Sequence, residues 1–170
     1  MTSIWKRPLD LLIVAIFVIF LAIAATIDYI QSMYGAVLRE PPDMTVGLWP
    51  PSFFLEYFLW WCDTVDPLLG HNPVWYETMA LFSPCIYLPF YIVAIYAIVT
   101  EKEWIRIPCL CWAYGLLLTM IVIVREELYG EYPTKNVTLF AMAYGGYLLM
   151  PITIFMRMIQ TPLFSKNKTD

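Results

Sequence analysis

Long apolar runs alternate with short polar segments along this chain, and the runs predict its helices. Four of them carry no charged side chain: residues 11–27, 78–100, 107–124 and 136–156. Each is close to the ~20 residues that a helix needs to cross the hydrocarbon core of a bilayer. Because no water reaches that core, backbone hydrogen bonds have to close within each run, which favours helices. The pattern predicts an all-α integral membrane protein with a four-transmembrane-helix bundle.

The composition supports this assignment and excludes one class of partner. Of the 170 residues, 61% are hydrophobic and only 14% are charged; a soluble chain of this kind would expose more apolar surface than water tolerates. The net charge is −4, so no nucleic-acid partner is expected. The only histidine, His71, has no second ligand at metal-binding spacing. No metal site and no cofactor are therefore predicted.

The basic residues predict how the bundle is oriented. Seven of the ten lie on one side of the runs: Lys6, Arg7, Lys102, Arg106, Arg157, Lys166 and Lys168. The other three are Arg39, Arg125 and Lys135. Because cytoplasmic loops carry the excess of Lys and Arg, this distribution favours cytosolic N and C termini.

A cleaved signal peptide is the alternative interpretation of the first run. Lys6 and Arg7 precede it, and Ala22-Ile23-Ala24 has the small-x-small form of a cleavage site. The run is longer than the usual apolar core of a signal peptide, and Asp10 stands where signal peptides are normally free of acid. A retained first helix is the favoured interpretation.

The C-terminal tail predicts a location. Lys166 and Lys168 stand five and three positions from the end of the chain, which is the spacing of a dilysine signal that returns membrane proteins to the endoplasmic reticulum. The alternative is a plain basic flank after the last span. We expect a multi-pass protein of the endoplasmic reticulum membrane.

The segment between the first two runs predicts a cap. It is rich in aromatic residues: Trp49, Phe53, Phe54, Tyr57, Phe58, Trp60 and Trp61. Such side chains favour the headgroup layer of a bilayer. Residues 52–62 are expected to form a short helix lying on the membrane, and residues 32–75 as a whole to cover the lumenal mouth of the bundle.

Two aspartates are the candidate polar centre. Asp28 closes the first run, where a charge is costly unless it has a partner or faces a cavity. Asp66 precedes Pro67 in the cap and is expected to reach the same place. If they meet, the two carboxylates would share a proton or recruit a cation. The alternatives are a hydrated helix end for Asp28 and ordinary turn chemistry for Asp66.

Several motifs, in order, resemble a known family. They are Asp66-Pro67-Leu68-Leu69, Pro73-Val74-Trp75-Tyr76, Leu88-Pro89-Phe90, Trp104-Ile105-Arg106-Ile107-Pro108 and Tyr147-Leu148-Leu149-Met150-Pro151. Together they resemble the EXPERA membrane domain, and within it the sigma-2 receptor branch. The resemblance implies one domain over residues 1–170, with spans at about 9–31, 76–99, 106–126 and 136–158, the cap at 32–75 and a cytosolic tail at 159–170.

The same resemblance implies a ligand and a site. Members of this branch are endoplasmic-reticulum proteins, often homodimers, with a pocket that binds sterols and cationic amphiphilic compounds. It implies that Asp28 meets the ligand amine, that Asp66 braces Asp28, and that four further residues line the pocket: Tyr87, Thr119, Tyr144 and Tyr147. A family acid of the second span corresponds to Ser83 here, which predicts a different ligand preference.

Two other functions stay open at this stage. Sterol isomerases of the same superfamily use titratable groups beside the sterol ring, and the second to fourth spans of this chain are expected to hold no His, Asp or Glu after Glu77. A receptor is therefore favoured over an enzyme. The other alternative is a membrane-protein chaperone or trafficking adaptor, with a sterol-transport membrane protein as its partner.

Overall fold

The part of the chain that the structure describes is mostly helical. The computed structural model describes residues 3–34, 49 and 51–164. Within them lie α1 (Pro8–Ala25), α2 (Ile27–Tyr34), α3 (Ser52–Thr64), α4 (Pro67–His71), α5 (Val74–Phe82), α6 (Leu88–Val99), α7 (Arg106–Tyr129) and α8 (Val137–Met158). The predictions for Arg39, for cap residues 35–48 and for the tail lysines Lys166 and Lys168 lie outside the described residues.

Among the described residues, four helical segments are long and apolar enough to cross a membrane. They are Pro8–Met33, Val74–Val99, Glu103–Tyr129 and Val137–Met158. The predicted four-helix membrane architecture is therefore confirmed. Four crossings bring the start of α1 and the end of α8 to the same end of the bundle, which we call the terminal end. The opposite end carries α3 and α4, and we call it the cap end.

The third span is longer than its apolar run. Helix α7 continues through Arg125, Glu126 and Glu127 and ends at Tyr129, before Gly130. Glu127 is completely buried in the protein. The expectation that spans two to four hold no acid after Glu77 is therefore wrong, because a helix can keep a carboxyl side chain inside the protein at the end of a span.

Two spans are interrupted at the same level. Thr26 leaves the helical conformation between α1 and α2, and its Oγ1 donates to the Ala22 carbonyl at 2.7 Å. In the second span, Ser83–Tyr87 forms a π-helical turn between α5 and α6. This turn contains Pro84, which has no N–H to donate. The turn contacts both α1 and α2, so the two interruptions bring the start of α2 against the π turn.

The core below these interruptions is aromatic. Phe17 and Phe20 of α1 pack against Tyr91 of α6 and Trp112 of α7, with ring centroids 5.2–5.8 Å apart. The indole N–H of Trp112 donates to the Tyr91 hydroxyl at 3.3 Å. The cluster fixes three spans against each other, while α8 packs along α7.

The cap is attached to the bundle by hydrogen bonds at two places. The Val65 carbonyl, between α3 and α4, accepts hydrogen bonds from the Thr134 hydroxyl at 2.6 Å and the Lys135 N–H at 3.1 Å. Asn72, after α4, exchanges hydrogen bonds with Gln31 of α2 at 3.2 and 3.1 Å. The cap therefore has fixed contacts with α2 and with the α7–α8 connection.

An ion cluster holds the terminal end together. Asp10, only 3% exposed, accepts hydrogen bonds from Arg7 at 2.9 Å and from Arg157 of α8 at 2.8 Å. Arg157 also donates to the Leu163 carbonyl at 2.6 Å, and both guanidinium groups face the ring of Phe164. The start of α1 and the segment after α8 are thereby joined through one carboxylate.

Candidate functional site

A cavity of about 370 Å³ lies between the spans under the cap. This is within the size range of small-molecule sites. Most of its wall is apolar or aromatic, formed by Phe20, Ile23, Ile27, Tyr57, Phe58, Trp61, Leu69, Tyr76, Met79, Ala80, Tyr91, Leu116, Met120, Ile123 and Ala143. The polar positions are Asp28, Gln31, Ser83, Tyr87, Thr119, Tyr144 and Tyr147. The cavity therefore suits a ligand that is mainly apolar and has few polar groups.

Asp28 is the one charged side chain that the described residues contribute to this wall. It lies on α2, one residue after the start of that helix, and its Oδ2 accepts a hydrogen bond from the Ser83 hydroxyl at 2.5 Å. The contact follows from the two interruptions, which place the start of α2 against the π turn. Among the described residues, one neutral hydroxyl donates a hydrogen bond to this carboxylate, and no cationic side chain pairs with its charge. A cationic group on a ligand would balance the negative charge of Asp28.

Asp66 lies behind the wall rather than in it. It is fully buried, and its Oδ1 accepts the Leu69 N–H at 2.7 Å as the N-cap of α4. Its Oδ2 accepts a hydrogen bond from the hydroxyl of Tyr144, which does line the cavity. Asp66 therefore has two roles: it caps a helix after a turn, as such residues commonly do, and it also contacts a residue of the cavity wall.

The structure does not join the two predicted aspartates directly. The hydrogen bonds of Asp28 and Asp66 go to different partners, Ser83 for the first and Leu69 and Tyr144 for the second. The phenol of Tyr76 lies within electrostatic range of both carboxyl groups. Asp66 acts on the cavity through Tyr144, because its own oxygens are already occupied by donors from α4 and α8.

The three other predicted residues all face the cavity. The hydroxyl of Tyr87 stands 3.7 Å from the position that a Cβ would take on Gly115, so the absence of a side chain there leaves room for the ring. Thr119 donates to the Gly115 carbonyl at 3.1 Å. Tyr147 packs edge-on against Phe20 at 5.2 Å.

Sequence reasoning missed Gln31 and Tyr76 as wall residues. Gln31 follows Asp28 by three positions, a spacing that puts both on one face of a helix, and this signal was available. Its amide lines the cavity and also reaches Asn72 in the cap. Tyr76 carried no such signal, because its partner Tyr144 is far away in sequence.

The described residues contain no group of three or more His, Cys, Asp or Glu side chains that could hold a metal ion.

Cys62 of α3 provides a test of cap closure. Burial raises the pKa of the Cys62 thiol, and the charges of Asp66 and Asp63 raise it further. A raised pKa keeps the thiol protonated at neutral pH, and the thiolate is the reactive form. We expect Cys62 to resist a water-soluble maleimide in the folded protein and to react after denaturation, as measured by mass spectrometry.

The neighbouring position supplies the control for this labelling experiment. Asp63 is exposed on the same helix, so an Asp63→Cys variant with Cys62→Ala should label rapidly in the folded protein. Equal labelling rates at the two positions would contradict a closed cap.

The fold and the site together define a four-span membrane protein with an intramembrane cavity. The model of the EXPERA (EXPanded EBP superfamily) family matches residues 51–158, which is more than half of the chain. The chain therefore belongs to the EXPERA family, as the ordered motifs predicted.

Individual relatives are similar over most of their length. Sigma intracellular receptor 2 of Xenopus tropicalis is 28% identical over 135 residues, covering 70% of this chain and 78% of the relative. Sigma intracellular receptor 2 of Homo sapiens is 26% identical over 129 residues, covering 67% and 73%. The predicted resemblance to the sigma-2 receptor branch is thus confirmed by named relatives.

Proposed function

We propose that the protein is a non-enzymatic membrane receptor that binds a sterol or a cationic amphiphilic ligand in the cavity under the cap. One observation carries the proposal: a carboxylate, Asp28, stands in the wall of an otherwise apolar and aromatic cavity inside the spans. An apolar chamber with one acidic point matches a ligand that has a long apolar body and a single amine or hydroxyl group.

We propose a pose for that ligand that fits the arrangement of the wall. The amine or hydroxyl lies against the Asp28 carboxylate. The apolar body extends over Phe20 and Tyr91 toward Leu116 and Met120. Aromatic faces around a cation add cation–π attraction to the ion pair. Tyr144, oriented by Asp66, offers a second polar contact for a hydroxyl.

The contents of the wall favour binding over sterol isomerisation. Proton transfer on a sterol ring needs an acid and a base within hydrogen-bond reach of the reacting carbons. Of the acids among the described residues, Asp28 alone lines the cavity, and Glu127 lies outside its wall. The relatives reported above carry the name of a receptor.

Location and orientation belong to the same proposal. The charge distribution and the tail lysines support an endoplasmic reticulum protein with both termini in the cytosol. Protease digestion of terminal epitope tags in sealed microsomes tests the orientation, since protected tags would contradict it.

Lipid analysis of the purified protein is the direct test. In mild detergent we expect a sterol to co-purify and to be displaced by an alkyl trimethylammonium amphiphile. Replacing Leu116 by Trp should weaken the binding of both ligands, because the larger side chain occupies part of the cavity; replacing the exposed Leu118 by Trp is the matched control. Monodisperse protein that binds neither ligand would overturn the proposal. Incubation with a sterol whose ring double bond can migrate gives unchanged sterol if the protein is a receptor, and isomerised product if it is an enzyme.

A further inference from the structure

Glu127 is the most unusual polar residue in the bundle. It lies near the cap end of α7 with 0% exposure, and neither oxygen of its carboxyl group receives a hydrogen bond from a described donor. Its backbone carbonyl accepts the Thr134 N–H at 2.9 Å, so the backbone here is fixed. An ionised carboxylate buried without a donor costs several kcal/mol. Glu127 is therefore not an isolated buried charge.

The explanation lies in its neighbour. The carboxyl group of Glu127 contacts that of Asp66, whose oxygens already accept from the Leu69 N–H and the Tyr144 hydroxyl. Two carboxylates can only accept hydrogen bonds, so their contact would be repulsive. A single proton on Glu127 turns the same contact into an O–H···O⁻ hydrogen bond, which is among the stronger kinds.

We propose that Glu127 is a neutral carboxylic acid that donates its proton to Asp66, and that this bond makes Glu127 a positioning residue for the ligand cavity. The effect on ligand binding rests on the proposed function, whereas the hydrogen bond between Glu127 and Asp66 does not. Asp66 then has three donors, from α4, α7 and α8. With all three in place, it holds the Tyr144 hydroxyl and ring in the cavity wall.

The bond also extends the hydrogen-bonded chain across the bundle. Tyr144 is hydrogen-bonded to Tyr76 of α5, and both rings line the cavity. The chain thus runs from α7 through the cap to α8 and α5. Loss of the Glu127 donor leaves the charge of Asp66 with one hydrogen bond fewer. This changes the hydrogen bond between Asp66 and Tyr144, although no side chain of the cavity wall has been removed.

A rise in pH is the way to break this bond without mutation. Removing the proton leaves two buried anions side by side, so Asp66 is pushed away and ligand binding weakens as the pH increases. The other titratable groups within electrostatic range of the pair are Tyr76, Tyr144, Glu126 and Cys62, with Asp28 further along the chain of phenols. Asp63 and Lys135 lie nearby, where the Lys135 N–H donates to the Val65 carbonyl and its side chain to the Asp63 carbonyl. A glutamine at position 127 keeps an N–H donor and has no proton to lose, while all these other groups remain.

The test compares the wild type with Glu127→Gln and Glu127→Leu. The probe is an alkyl trimethylammonium amphiphile, because its charge does not change with pH. From neutral to alkaline pH, we expect wild-type affinity to fall at least about tenfold, Glu127→Gln to lose clearly less, and Glu127→Leu to bind weakly throughout. A Glu127→Gln profile as steep as that of the wild type would overturn the proposal, and so would wild-type affinity in Glu127→Leu.

A measurement without ligand separates this proposal from the receptor function. The infrared carbonyl stretch of a protonated carboxyl group should be present in the wild type and absent from Glu127→Gln. If the amphiphile binds to no variant, the receptor function fails while the infrared band still decides the state of Glu127. An identical carbonyl band in both proteins would overturn the proposal even if Glu127→Leu fails to fold.

Discussion

Replacing Asp28 by asparagine is expected to lower the affinity for a cationic amphiphile about 100-fold and to leave the fold intact. The amide has the shape of the carboxylate, and its oxygen can still accept the Ser83 hydroxyl that Asp28 accepts at 2.5 Å. What disappears is the negative charge in a wall that has no other among the described residues. Truncating one side of a buried charge pair typically costs 2–5 kcal/mol, and about 3 kcal/mol corresponds to the stated loss.

The measurement should use two ligands. Binding of an alkyl trimethylammonium amphiphile reports the ion pair, whereas binding of a neutral sterol reports the apolar cavity and should change only a few-fold, since a neutral hydroxyl bond contributes about 1 kcal/mol. Asp63→Asn removes an equal charge from an exposed position of the cap and is the matched control. Normal binding of the cation by Asp28→Asn would show that the acidic point is not the ligand partner.

The second large effect is expected on stability, at the opposite end of the bundle. Asp10→Asn should destabilise the protein by about 3–5 kcal/mol, because Arg157 loses its carboxylate partner and Arg7 keeps only Glu101, whose Oε1 lies 3.5 Å from its Nε. Both guanidinium groups are largely buried, with side-chain exposures of 14% and 10%. The loss should exceed that of an exposed ion pair, which contributes about 0–1 kcal/mol.

Thermal unfolding in detergent, followed by loss of monodisperse protein, measures this effect. The midpoint should fall by roughly 10 °C for a chain of this length, and Asp63→Asn should leave it unchanged. Ligand affinity below the unfolding range should stay normal, because the ion cluster does not line the cavity. A variant with the wild-type midpoint would show that the three charges contribute nothing to the fold.

The spans could be predicted from the sequence because length and hydropathy alone define them. The interruptions could not: the break at Thr26 and the π turn at Ser83–Tyr87 depend on how two spans pack at one level. The end of α7 was also missed. A charge normally marks the end of an apolar run, yet Glu127 continues the helix and faces inward, where the fold provides a partner.

The candidate site shows the same division. Asp28 could be found from the sequence because a carboxylate at the end of an apolar run is energetically costly, which indicates that it has a partner or faces a cavity. The bond between Asp66 and Tyr144 joins residues 78 positions apart, and that between Asp10 and Arg157 joins residues 147 apart. Such pairs follow from the packing of whole helices, which no local pattern records. Asp10 was noticed in the sequence only as an argument against a signal peptide.

One helix of the cap, α3, contributes both to the cavity wall and to the exposed surface. Helix α3 contributes Tyr57, Phe58 and Trp61 to the cavity wall, while Phe53 and Trp60 of the same helix are exposed and do not line the cavity. Aromatic side chains of that outer kind settle among lipid headgroups. A shift of this helix with bilayer thickness or composition would therefore move part of the cavity wall. Ligand affinities measured in micelles and in native-like nanodiscs are therefore expected to differ.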